Sequence, residues 1–102
     1  MRTIPQVTAQ QAQALVNEFI SDYLSDRFTA DQAKLFVTGE VWQVPVILAY
    51  PVVGSLGQVG EVLVSTSSEA IVSHTSFDEI KQVGQGLYDA IYLVQLLLLH
   101  GQ

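Results

Sequence analysis

Between Ala9 and Tyr23 the apolar residues Ala9, Ala12, Val16, Phe19, Ile20 and Tyr23 recur mostly three or four positions apart, with Gln10, Glu18, Ser21 and Asp22 between them. That spacing collects the apolar side chains on one face of a 3.6-residue helix. Thr8, followed three residues later by Gln11, has the form of a capping box that satisfies otherwise unpaired backbone N–H groups at a helix start. The pattern predicts an amphipathic helix from Thr8 to about Ser25. Asp26 to Asp31 mixes polar residues with Phe28 and reads as a connection.

Period two then replaces period three to four. Ala33, Leu35 and Val37 alternate with Lys34, Phe36 and Thr38, and Gly39-Glu40 follows as a tight turn. In the run Val41 to Tyr50, one face carries Trp42, Val44, Val46, Leu48 and Tyr50, and the other Val41, Gln43, Pro45, Ile47 and Ala49. Pro45 has no backbone donor, so it is expected at an edge or a bulge. Pro51 to Gly57 connects to a third strand at about Gln58 to Ser65, and Thr66 to Ser68 turns the chain into a fourth at about Glu69 to Ser73.

A second helix begins at Ser76, where Ser76 and Glu79 have capping-box spacing and Asp78 and Glu79 place negative charge in the first turn. Ile80, Val83, Leu87, Ala90, Ile91, Val94 and Leu98 then form a stripe that reads as the core face. On a helical wheel, Tyr88, Tyr92, Leu96 and Leu99 lie about 180° away from it. One sheet cannot bury both sides, so this second stripe is expected to meet another chain. The order α-β-β-β-β-α predicts an α+β fold, with an antiparallel sheet of about four strands flanked by an N-terminal and a C-terminal helix.

The run Val59-Gly60-Glu61-Val62-Leu63-Val64-Ser65 and Thr66-Ser67-Ser68-Glu69-Ala70-Ile71 follows a helix and a hairpin containing Val41-Trp42-Gln43-Val44-Pro45-Val46. Together they resemble the PepSY type of small α+β module, over Thr8 to Ser73 at most. Such modules have a helix on a short antiparallel sheet and a hairpin of the form V-D-x-x-T-G-E. Here Ser65 stands at the Asp position, and Ser67 and Ser68 replace Thr-Gly, so most of the signature is absent. The resemblance implies an extracytoplasmic setting and restraint of proteases, whereas Met1 to Val7 contains no apolar run of signal-peptide length and points to the cytoplasm.

Composition narrows the classes further. The chain has 102 residues, of which 49% are hydrophobic and 14% charged, which fits one folded domain over 1–102 and excludes a disordered tail. A net charge of −6 and a pI near 4.4 argue against nucleic acid and anionic membrane surfaces as partners. The ten residues Ala90 to Leu99 are far short of the roughly 20 that a spanning helix needs. Without Cys there are no disulfides, thiolate metal sites or thiol nucleophiles.

Gly54, Gly57 and Gly60 are spaced GxxGxxG, but a strand pattern follows them where phosphate binding requires a helix N-terminus, so they read as turn and bulge glycines. His74, with Ser73, Thr75, Ser76 and Asp78, invites comparison with a catalytic triad, although such clusters also occur at helix starts and triads are defined in space. Glu18 and Asp22 read as a solvated face. No catalytic, cofactor or metal set emerges. Trp42, Tyr50 and His74 are the candidate pocket residues, and Tyr88, Tyr92, Leu96 and Leu99 the candidate interface. The expected function is that of a non-enzymatic, acidic protein acting through association, as a homodimer or one subunit of a pair. The alternative is a small-molecule-binding domain with an aromatic-lined pocket.

Overall fold

The computed structural model describes residues 6–36 and 39–100, except for the side chains of Gln95, Leu99 and His100. Helix α1 (Ala9–Ser21) precedes strands β1 (Phe28–Ala30), β2 (Lys34–Leu35), β3 (Val41–Tyr50), β4 (Gly54–Ser65) and β5 (Ile71–His74), and helix α2 (Phe77–His100) ends the series. All strand pairs are antiparallel, in the order β1-β3-β4-β5, with β2 also on β3. The fold is α+β, with a helix at each end of the sheet segment, as the hydrophobic pattern predicts.

The predicted capping box forms in full at α1: Gln11 N–H donates to Thr8 Oγ1 at 3.0 Å, and Thr8 N–H donates to Gln11 Oε1 at 2.8 Å. The helix ends at Ser21, before the expected Ser25, because the N–H groups of Tyr23 and Leu24 both donate to the Ile20 carbonyl and close it with a tight turn. At α2, Ser76 Oγ accepts the N–H of Glu79 at 3.2 Å.

The strands before Gly39 depart from the expected arrangement. Phe28 to Ala30, read as part of a connection, forms β1, with Phe28 opposite Leu48 and Ala30 opposite Val46. Three residues are too few to show a period of two. The single strand expected over Ala33 to Val37 is reduced to β2, and Val37 and Thr38 lie outside the described residues. Between β1 and β2 the chain steps past Pro45, whose carbonyl accepts the Asp31 N–H at 2.8 Å. N–H and C=O of one strand residue point to the same side. The missing donor of Pro45 therefore falls in the gap between β1 and β2, and Pro45 sits inside a central strand, neither at an edge nor at a bulge, without costing a bond to β4.

β4 starts at Gly54, earlier than expected, and β5 runs two residues later than predicted at its start. The β3–β4 register slips after Val46↔Gly60, with Ile47 opposite Gln58, and again after Leu48↔Gly57, with Ala49 opposite Ser55. These bulges let one long hairpin curl. Gly54 and Gly57 adopt φ of +87° and +147°, so the GxxGxxG run belongs to sheet geometry.

Both helices pack on the same face of the sheet. α1 buries Ala12, Val16 and Ile20, and the sheet contributes Val44, Val46, Leu48, Val62 and Val64. Two glycines seat α2: a Cβ at Gly60 would lie 2.8 Å from Ile80 Cγ1, and one at Gly84 would lie 2.9 Å from the Phe28 ring. Thr66, buried at the end of β4, holds the N-terminal segment, since its carbonyl accepts the N–H groups of Gln6 and Val7 and its hydroxyl lies 3.1 Å from the Glu40 carbonyl oxygen.

Candidate functional site

The three residues expected to share a pocket lie in three places. Trp42 turns to the N-terminal segment, its indole N–H donating to the Val7 carbonyl at 2.7 Å. His74 joins an aromatic cluster, with ring centroids 4.8 Å from Phe77 and 5.2 Å from Phe19, while Tyr23 stacks on Phe77 at 4.6 Å. Its Nδ1 lies 2.7 Å from the Thr75 carbonyl oxygen, the position of a donated N–H. Ser76, beside it, caps α2. The ring contacts tie the start of α2 to α1 and the turn after it, and among the described residues the hydrogen bond of the His74 ring goes to a backbone carbonyl and not to a hydroxyl or carboxylate. Among the described residues no three His, Asp or Glu side chains converge as metal ligands, and Glu18 and Asp22 are exposed.

Tyr50 alone of the three borders the cleft between the sheet and α2, a space of about 410 Å³. One wall is Arg27, Phe28 and Tyr50 from the sheet side, and the other is Lys81, Gly84 and Tyr88 from the helix. The Arg27 guanidinium carbon stands 4.8 Å from the Tyr50 centroid, a cation–π distance. From there the rings form a ladder: Tyr50 to Tyr88 is 5.9 Å, and Tyr88 to Tyr92 is 6.4 Å with nearly parallel planes.

Arg27, Lys81 and Gln85 did not stand out from the sequence. A signal existed for the helical wall, because Lys81, Gln85, Tyr88 and Tyr92 follow one another at intervals of three and four. None existed for Arg27, which reaches the cleft only through the turn that joins α1 to β1.

Beyond the cleft α2 leaves the sheet. Of the stripe read as its core face, only Ile80 is buried, with Leu87 and Ile91 partly so, and Val83, Ala90, Val94 and Leu98 are exposed. The reason is geometric. A helix of 24 residues is about 36 Å long, and β4, its main partner, lies under the first turns alone. On the opposite stripe Tyr88 and Tyr92 are exposed and Leu96 is partly buried, while the side chain of Leu99 lies outside the described residues. Leu93 and Leu97 stand 58% and 70% exposed between the two stripes, and Leu98, in the first stripe, is 71% exposed. Apolar side chains thus surround the projecting half of α2, and Asp89 is the only charged residue from Tyr88 to Leu98. No described helix is long and apolar enough to cross a membrane.

Compared with known proteins, the chain matches no family model, no curated protein and no solved structure.

Proposed function

We propose that this protein acts through association with a second copy of itself, with the projecting half of α2 as the contact. The observation that carries this reading is the exposure of Tyr92, Leu93, Val94, Leu97 and Leu98 around a helix that has left its own core. Contiguous apolar surface of this kind costs free energy in water and is relieved by burial against a partner.

Two whole-chain quantities support it. The accessible surface is 6905 Å², whereas a compact monomer of this mass exposes about 5,700 Å². The radius of gyration is 16.1 Å, against about 13 Å for a compact domain of this length.

A second copy fits the stripe chemically. A two-fold axis brings Tyr92 and Leu96, beyond the cleft, against their own counterparts, and with Asp89 the sole charge in the segment there is little like-charge repulsion to overcome. The first helix and the sheet serve as a rigid base that holds the projecting helix. Sedimentation velocity tests the reading: a dimer mass is expected at micromolar concentration, and a monomer at high micromolar concentration overturns it.

A further inference from the structure

We propose that the cleft between the β1–β3 corner and α2 is a binding site for a small anion carried on a flat ring, such as an aromatic phosphate or carboxylate. This goes beyond self-association and does not depend on it.

The charge distribution is the first ground. The chain carries only four Lys and Arg against ten Asp and Glu, yet two of the four, Arg27 and Lys81, border this one cleft from opposite walls, and no carboxylate borders it. Among the described residues neither cation enters an ion pair, although Asp26 and Asp78 stand nearby in sequence. In a protein with net charge −6, two cations facing one space make a local field that favours an anion against the charge of the whole molecule.

The walls supply the second ground. Tyr50 and Tyr88 are in ring contact where the two walls of the cleft meet, with centroids 5.9 Å apart, and Phe28 closes the inner end against Gly84. The volume, about 410 Å³, lies in the range of sites for small organic ligands. Arg27 lies over the Tyr50 ring, so its planar group is already oriented and its N–H fork is free to meet two oxygens of a phosphate or carboxylate. Lys81 supplies the opposing charge. The Ser25 hydroxyl, also on the lining, adds a neutral donor. A ring attached to the anion lies along Tyr50 and Tyr88, where stacking and offset-edge contacts are available.

The test uses phenyl phosphate as probe, with phenol and inorganic phosphate as its two halves, read by amide chemical shifts of the full chain. Saturable shifts at Phe28, Gly84, Gln85 and Tyr88 with phenyl phosphate in the millimolar range are expected, with weaker binding of either half. Arg27→Gln and Lys81→Gln change exposed side chains, so the remaining amide spectrum should stay in place while affinity falls about tenfold for each. Absence of saturable shifts in the unmodified protein overturns the proposal, as does phenyl phosphate binding that is unchanged in the Arg27→Gln, Lys81→Gln double variant. Phenol binding as tightly as phenyl phosphate overturns the anion site, and inorganic phosphate binding as tightly overturns the ring site.

Discussion

At Gly60 and Gly84 single hydrogen atoms stand where any side chain would push α2 off the sheet. Gly60→Ala drives a Cβ to 2.8 Å from Ile80 Cγ1 and 3.0 Å from Thr75 Cβ, an overpacking expected to lower stability by about 1–3 kcal/mol. Gly86, with nothing within 4 Å of a built Cβ, lies on the exposed side of the same helix. Gly86→Ala should therefore raise stability by about 0.8–1 kcal/mol, the propensity difference alone. Urea midpoints of the two variants moving in opposite directions would support this account, and equal shifts would contradict it. Trp42 combines packing with a bond to the Val7 carbonyl. Trp42→Ala is expected to cost about 3–5 kcal/mol, because it removes the largest partly buried side chain from the core edge. Trp42→Phe should keep most of the packing and lose about 1 kcal/mol with the hydrogen bond. Chemical denaturation of both variants measures the split.

At the scale of elements, α1 and α2 do different work. The polar side of α1 covers the edge of the sheet: Asn17 Oδ1 accepts the Ala30 N–H at 2.8 Å, and Gln13 Nε2 donates to the Ala30 carbonyl at 3.1 Å. These bonds occupy backbone groups of β1 that would otherwise invite pairing with another strand. The second helix instead presents side chains to solvent. Replacing Tyr92 and Leu96 together by Lys leaves Ile80 and the seat on Gly60 and Gly84 untouched, so the variant should remain folded and become monomeric. Circular dichroism with sedimentation velocity decides this: a folded dimer would place the contact elsewhere on the surface, and an unfolded chain would make the stripe part of the core.

The whole molecule joins a curled sheet to a helix that outruns it. Its core draws on α1, the sheet and Ile80, while Leu93, Val94, Leu97 and Leu98 stay exposed outside it. If copies pair through α2, the melting temperature should rise with protein concentration by mass action. The Tyr92→Lys, Leu96→Lys variant should melt at one temperature across the same range. Calorimetry over a hundredfold dilution, about 2.7 kcal/mol of mass action, gives the comparison. The same molecule should show no salt-sensitive shift of DNA or RNA mobility, because the chain carries four Lys and Arg against ten Asp and Glu, and the pair Arg27 and Lys81 at one cleft is too small a cluster to replace the counterions of a run of phosphates. A retarded band at physiological salt would overturn that expectation.

The sequence by itself determined the elements that repeat a period long enough to be read. Thr8, Gln11 and the stripe Ala12, Val16 and Ile20 specify α1, and the alternation Trp42 to Tyr50 specifies β3 and its buried face, because local side-chain spacing decides which side of a helix or strand is apolar. Those elements and their order were enough for the α+β class. Tertiary structure decided what depends on where elements end relative to one another. β1 is three residues long and exists because β3 offers a partner, and Pro45 is tolerated in a central strand because the chain steps past it between β1 and β2. The stripe Val83 to Leu98 looks like a core face, but burial requires a surface to pack on, and the sheet stops under the first turns. Trp42, Tyr50 and His74 are alike in residue type, but Trp42 bonds to the Val7 carbonyl and His74 stacks on Phe77, away from Tyr50. Arg27 and Lys81, 54 positions apart by their numbers, border one cleft only because the turn after α1 and the seat of α2 bring their elements to the same corner of the sheet.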